Sequence, residues 1–132
     1  MVNFSTKARV RYGETDQMGV VHHGNYAHYF ELARTEWLRS IGVTYKDMEK
    51  KGIMLPVVKL SFTFLRPAKY DDLITIHVFI KKPPLVKITF DYEIINEQGT
   101  LLTTGNSVLA FMDMQTGKPI KCPDYISKKL IF

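Results

Sequence analysis

Residues 25–41 read NYAHYFELARTEWLRSI, and in them Tyr26, Tyr29, Phe30, Ala33, Trp37 and Ile41 recur at the spacing of one helix face. His28, Glu31, Thr35 and Arg39 fall on the opposite side. The pattern predicts a long amphipathic helix, with Gly42 as its stop because a glycine readily takes the left-handed conformation that ends a helix. Working outward, residues 4–12 alternate instead. Phe4, Thr6, Ala8, Val10 and Tyr12 lie on one side and Ser5, Lys7, Arg9 and Arg11 on the other, the period of a half-exposed strand. Downstream, Thr44–Lys51 suits a short second helix, with Thr44 as cap, Asp47 three residues on, and Gly52 as terminator.

Everything beyond Gly52 reads as strand. Val58, Leu60, Phe62 and Phe64 alternate, then Ile74, Ile76, Val78 and Ile80, then Val86, Ile88, Phe90, Tyr92 and Ile94. A last strand runs from about Thr100 to Met112, with Gly105 marking an expected bulge. Turn signals separate these runs at Arg66-Pro67 with Asp71-Asp72, at Pro83-Pro84, and at Asn96-Glu97-Gln98-Gly99. A strand, a long helix and four strands joined by short turns define an α+β chain: an antiparallel sheet with one helix packed on a single face. Leu73, Phe79, Leu101, Leu109 and Phe111 are expected on the faces opposite the regular core set. Self-association is the economical way to cover such a surface.

The chain has 132 residues, 45% hydrophobic and 23% charged, with no repeat or linker, which suits one domain spanning 1–132. The N-terminal MVNFSTKARV lacks a signal-peptide core, and no apolar run approaches the roughly 18 residues that cross a bilayer, so a cytoplasmic protein without a membrane span is expected. Cys122 is the only cysteine and has no intramolecular partner. The net charge of +5 favours an anionic partner, but the cations are dispersed, from Lys7 and Arg9 to Lys128 and Lys129. That distribution is an ordinary soluble surface and not a nucleic-acid footprint.

Several catalytic signatures fail on their geometry. Gly105-Asn106-Ser107-Val108-Leu109 lacks the second glycine of a nucleophile elbow. Residues 19–24, Gly-Val-Val-His-His-Gly, have phosphate-loop spacing, but Asn25 and Tyr26 stand where lysine and a hydroxyl residue are needed. His22, His23 and His28 lie near Glu14, Asp16 and Glu31 without a complete ligand spacing, so no metal is expected. The segment from Tyr12 to Tyr26 differs, because it sets Asp16 shortly before the start of the long helix. A helix start presents unpaired N–H groups and a partial positive charge, the ingredients of an oxyanion site. Aspartate is ionised near neutrality and can act as nucleophile or as general base towards water; it is equally a common turn-capping residue.

In this segment the chain resembles the 4-hydroxybenzoyl-CoA thioesterase family of hot-dog proteins, and within it the small bacterial acyl-CoA thioesterases associated with the Tol-Pal system. The matching residues are Tyr12, Thr15-Asp16, Gly19, Val21, His23, Asn25-Tyr26, Phe30-Glu31-Leu32-Ala33-Arg34 and Glu36. Pro67-Ala68, Tyr70-Asp71-Asp72, Thr116-Gly117-Lys118-Pro119 and Pro123 extend the match over nearly the whole chain. The resemblance implies a hot-dog fold, a long central helix wrapped by a roughly five-stranded antiparallel sheet, and hydrolysis of acyl-CoA to free acid and CoA.

Carried over by position, the resemblance makes Asp16 the catalytic carboxylate and the backbone N–H of His23 the group that polarises the thioester carbonyl. It adds the side chains of His23 and Tyr12 to the catalytic set, and places Asn25 and Tyr26 at the helix start where substrate binds. Lys81, Lys82 and Lys87 flank a turn and are candidates for the CoA phosphates; relatives often carry a cation within this turn, where the present chain has Pro83-Pro84-Leu85-Val86. Relatives also often have an aromatic residue at His22 and alanine or proline at Gly24. No cofactor is implied, CoA being part of the substrate, and a homo-oligomer, dimer or tetramer, is expected with two chains forming each site. The rival from another class is a non-catalytic module that binds acyl-CoA or an acyl-carrier protein; a hot-dog dehydratase is a third reading.

Overall fold

The long helix forms where its periodicity places it, as α1 (Asn25–Ser40), in the computed structural model, which describes all residues from Met1 to Phe132. Around it the chain forms β1 (Val2–Arg9), α2 (Tyr45–Lys50), β2 (Ile53–Met54), β3 (Val57–Phe64), β4 (Leu73–Ile80), β5 (Lys87–Ile95), β6 (Leu101–Ala110), β7 (Met112–Asp113) and α3 (Asp124–Ser127). Five strands make one antiparallel sheet in the order β1-β4-β5-β6-β3, and β2 pairs with β7 in a separate ribbon. Both glycine stops hold, Gly42 and Gly52 having φ of 82° and 79°. Thr44 caps α2 by accepting a hydrogen bond from the Asp47 N–H at 3.1 Å.

Helix α1 crosses one face of the sheet and buries Tyr26, Tyr29, Phe30, Ala33, Trp37 and Leu38 in a single core with Ile74, Ile76, Val78, Ile88, Phe90 and Tyr92. The Phe30 ring stacks on Tyr92 with centroids 4.0 Å apart, and Trp37 meets Phe90 edge-on at 5.5 Å. Direction along the sheet follows from these contacts. Tyr26, at the start of α1, packs on Phe64, which pairs with Thr103, whereas Trp37, near its end, packs on Phe90, which pairs with Ser107.

Three expectations are corrected. The first strand stops at Arg9, because Val10 pairs with the Asp71–Asp72 turn and Tyr12–Glu14 fold into a single 3-10 turn. Leu109 and Phe111 face the core and are fully buried. Their assignment fails because the alternation reverses at the start of β6, where Leu102 and Thr103 are both buried beside a register shift at Ile94/Ile95; thereafter Ser107 and Leu109 point inward. Gly105 marks no bulge. Its register with Phe62 and Tyr92 is regular, and a Cβ there would collide with the Phe30 ring and stand 2.6 Å from the Ser61 carbonyl oxygen, so this glycine gives α1 its close approach to the sheet.

Strand β3 forms one edge of the sheet and leaves apolar side chains in solvent: Val57, Val58, Leu60 and Phe64 are 40–54% exposed. No helix is long and apolar enough to cross a membrane.

Candidate active site at the start of the long helix

The loop before α1 is held by Glu14. One carboxylate oxygen, Oε1, accepts from the Arg11 N–H and from the Tyr29 hydroxyl, both at 2.8 Å. The Glu14 carbonyl accepts from the His22 N–H at 2.9 Å and from Asn25 Nδ2 at 2.8 Å. A single residue thus ties the 3-10 turn to the first and second turns of the helix. Burial and the adjacent Glu14 carboxylate push the Tyr29 phenol well above its ordinary pKa, so it remains a donor.

Between these anchors the chain makes a narrow ribbon. Thr15 bridges to Val21, Asp16 N–H donates to the Val20 carbonyl at 2.8 Å, and Gly19, at φ 78°, closes the turn. The ribbon is fastened to the loop after β3 by the Val20–Lys69 bridge and by Val21 N–H donating to the Ala68 carbonyl at 2.8 Å. Asp16 is exposed at its tip. Its Oδ1 accepts from the Met18 N–H at 2.8 Å and, more weakly, from the Val20 N–H at 3.4 Å, while Oδ2 makes no hydrogen bond. The turn-capping role open to an aspartate is therefore present, and it leaves one oxygen free.

The helix start itself is a tight turn. Gly24 N–H donates to His22 Nδ1 at 3.2 Å, Asn25 N–H to the His22 carbonyl at 2.9 Å and Tyr26 N–H to the His23 carbonyl at 3.3 Å. The His23 N–H has no partner in the chain. His23 and Tyr26 line a cleft of about 240 Å³ with Val21, Phe64, Leu65 and Arg66. Tyr26 is itself buried, and its hydroxyl accepts from the Ala68 N–H at 3.2 Å. Asn25 spends its side chain on Glu14, as above, and so shapes the helix start.

The other anticipated residues are dispersed. Tyr12 is 78% exposed, with its ring edge-on to Tyr70 at 5.5 Å; neither it nor Asp16 lines the His23 cleft. Lys81, Lys82 and Lys87 come together around a cleft of about 600 Å³ at the β4–β5 turn, where Lys81 Nζ lies 3.7 Å from Asp91 Oδ2. That turn is at the far end of the sheet from His23. Lys87 pairs with Ala110 whereas Phe64 pairs with Thr103, and seven residues of extended β6 separate the two ends by roughly 23 Å. Glu14 and Arg66, which border the site at the helix start, carry no distinguishing signal in the linear sequence. Cys122 is buried, and burial pushes its thiol up to about 11, which leaves it an inert core group. No three His, Cys, Asp or Glu side chains converge as a metal site would require.

An antiparallel sheet wrapped on one long helix, with a cleft at that helix's start, defines the hot-dog class. A family profile described as the thioesterase-like superfamily matches residues 10–130. The structure of a DHNA-CoA thioesterase from Staphylococcus aureus is 38% identical and superposes with a TM-score of 0.90, covering 97% of this chain and 86% of that one. The acyl-CoA thioesterase YbgC of Haemophilus influenzae is 33% identical over 122 residues, 91% of this chain and 88% of its own length. The acyl-CoA thioester hydrolase YbgC of Escherichia coli O6:H1 is 30% identical over 123 residues, 93% and 92% of the two chains. This chain belongs to the thioesterase-like superfamily and has its hot-dog fold.

Proposed function

We propose that this chain hydrolyses acyl-CoA thioesters, acting as a single domain over 1–132, with Asp16 as the catalytic carboxylate and the His23 N–H as oxyanion donor. The observation that carries the reading is the unpartnered His23 N–H at a helix start bordering a largely apolar cleft. Preorganised N–H donors of this kind, aimed at charge that develops only in the transition state, are worth about 10²–10³ in rate each. In the general-base route, Asp16 Oδ2 takes a proton from water as the water oxygen adds to the carbonyl carbon. The C–S bond then breaks, and the CoA thiolate leaves and takes up the proton. In the nucleophilic route, the carboxylate oxygen itself displaces CoA, and water cleaves the resulting anhydride. A thioester is activated enough for one carboxylate and one dipole to suffice without a cofactor. Names of the relatives above support the substrate class, and the residues around Tyr12–Tyr26 support a place in the Tol-Pal-associated branch of the 4-hydroxybenzoyl-CoA thioesterase family.

The site is completed, on this reading, by a second chain of a cytoplasmic homo-oligomer, dimer or tetramer. The exposed apolar edge at β3 borders the His23 cleft through Phe64 and supports that arrangement. Within an oligomer the side chains of His23 and Tyr12 turn toward the thioester, and a neighbour's Lys81, Lys82 and Lys87 supply contacts that the same chain's cannot. The test is release of free thiol from a panel of acyl-CoAs, followed by one turnover in ¹⁸O-labelled water. Turnover of several acyl-CoAs is expected. Label absent from the first acid released and recovered in Asp16 assigns the nucleophile; label in the first acid, with no acyl-Asp16 trapped by hydroxylamine, assigns the base. Tight acyl-CoA binding with no cleavage at any chain length would replace the enzyme with a binding module.

A further inference from the structure

A second cleft of about 530 Å³ adjoins the one at the helix start, and Arg66 and Pro67 form the wall common to both. Its character is different. Where the first is lined mainly by Val21, Tyr26, Phe64 and Leu65, the second is lined by Arg66, Lys69, Asp72 and the polar turn residues Asn96, Gln98 and Thr100. The Arg66 guanidinium and the Lys69 ammonium are exposed and, like most cations of the chain, make no hydrogen bond or ion pair, so both are free to meet a ligand; what sets them apart is that they flank one cleft beside the helix start. The one carboxylate in the lining, Asp72, is turned to the backbone, accepting from the Lys69 N–H at 2.9 Å. The cations are carried on fixed backbone: Leu65 and Arg66 both donate their N–H groups to the Leu102 carbonyl, at 2.9 and 3.0 Å, and Lys69 is bridged to Val20.

We infer that this polar cleft receives the phosphates of the CoA carrier, held by Arg66 and Lys69 of the same chain whose helix start holds the thioester. The inference rests on the proposed hydrolysis of CoA esters and adds the residues that recognise the carrier. An ester seated with its carbonyl at His23 can direct its pantetheine arm past Arg66 into the second cleft. Two free cations beside amide and hydroxyl donors match the phosphate oxygens waiting there. The same chain's Lys81, Lys82 and Lys87 lie at the other end of the sheet, with Lys81 paired with Asp91, so a neighbour's set adds to this phosphate site and does not replace it.

Calorimetric titration with free CoA tests this without requiring turnover. The Arg66→Gln/Lys69→Gln double variant is expected to bind CoA roughly tenfold to a hundredfold more weakly than the wild type, the loss of two charge-assisted contacts at a partly exposed site. Lys81→Gln/Lys82→Gln/Lys87→Gln is expected to bind more tightly than that double variant. Against an acyl-CoA the double variant should raise KM at least tenfold more than against the same acyl group on N-acetylcysteamine, which has no phosphate. Wild-type affinity in the double variant, equal losses on the two thioesters, no measurable CoA binding by the wild type, or weakening confined to the triple variant would each overturn the assignment. A wild type that binds CoA through Arg66 and Lys69 yet cleaves no thioester would leave the phosphate site standing and remove the hydrolase.

Discussion

Replacing Glu14 by alanine tests the idea that one carboxylate positions the whole loop. Two hydrogen bonds to Oε1 are lost. The Arg11 N–H is exposed, and water replaces its partner at a cost of about 0.5 kcal/mol or less. The Tyr29 hydroxyl lies in a residue only 3% exposed, and losing a charged acceptor there costs about 1.5–3 kcal/mol. The sum is about 2–3 kcal/mol, or roughly 6–12 °C in Tm for a protein of this size. Thermal unfolding at fixed protein concentration reads it, and a cycle with Tyr29→Phe isolates the pair, with an expected coupling of about 1–2 kcal/mol. Glu14→Gln keeps an acceptor oxygen and should recover about half the loss. Because the Glu14 side chain ties the 3-10 turn ahead of the Asp16 ribbon to Tyr29 of the helix, its loss loosens the placement of Asp16, and kcat of Glu14→Ala on an acyl-CoA should also fall about tenfold. A coupling energy near zero would refute the hydrogen-bond account, and full kcat in the destabilised protein would refute the positioning account.

Gly105→Ala should destabilise by about 1–3 kcal/mol, read by urea unfolding, because the new methyl overlaps Phe30 and the Ser61 carbonyl; a neutral substitution would show that α1 can lift from the sheet without cost. Cys122 should resist alkylation by iodoacetamide in the native protein at pH 8 and react once the chain is unfolded, as followed by mass. Its folded thiol is raised to about 11 from an ordinary 9.0, so its contribution to stability is fully present below about pH 9 and is lost as pH rises towards 11. Cys122→Ala should remove the part of the alkaline loss that begins near pH 9 and leave the later part, to which buried tyrosines such as Tyr29 contribute; an unchanged alkaline profile would contradict the assignment.

The helix at Asn25–Ser40 is legible because large apolar residues recur at its period, and the same period gives its buried face apart from Arg34 and Leu38, which join it. The inward face of β6 is not legible. A shift of one residue beside Ile94/Ile95 reverses every later position, and such a shift depends on strand pairing that the alternation itself does not encode. Gly105 looked like a strand irregularity because the ring it accommodates, Phe30, is distant in sequence. At the site, the loop bearing Asp16 and the helix start at His23 could be read from local chemistry and resemblance. The role of Glu14 could not, since its partners Arg11, His22, Asn25 and Tyr29 converge only in three dimensions. The same holds for the cations. Lys81, Lys82 and Lys87 are conspicuous as neighbours in sequence, whereas Arg66 and Lys69 acquire their setting from a turn at Asn96–Thr100 some thirty residues away.

In the proposed reaction, thioester cleavage at this helix start depends on Asp16. Its most direct test is kcat for thiol release from the best acyl-CoA substrate by the wild type and by Asp16→Asn, with circular dichroism to confirm folding. The asparagine can still accept the Met18 N–H, so the turn is preserved while the base or nucleophile is removed. The account predicts a folded protein whose kcat falls by about 10²–10⁴. Equal rates for the two proteins would contradict it.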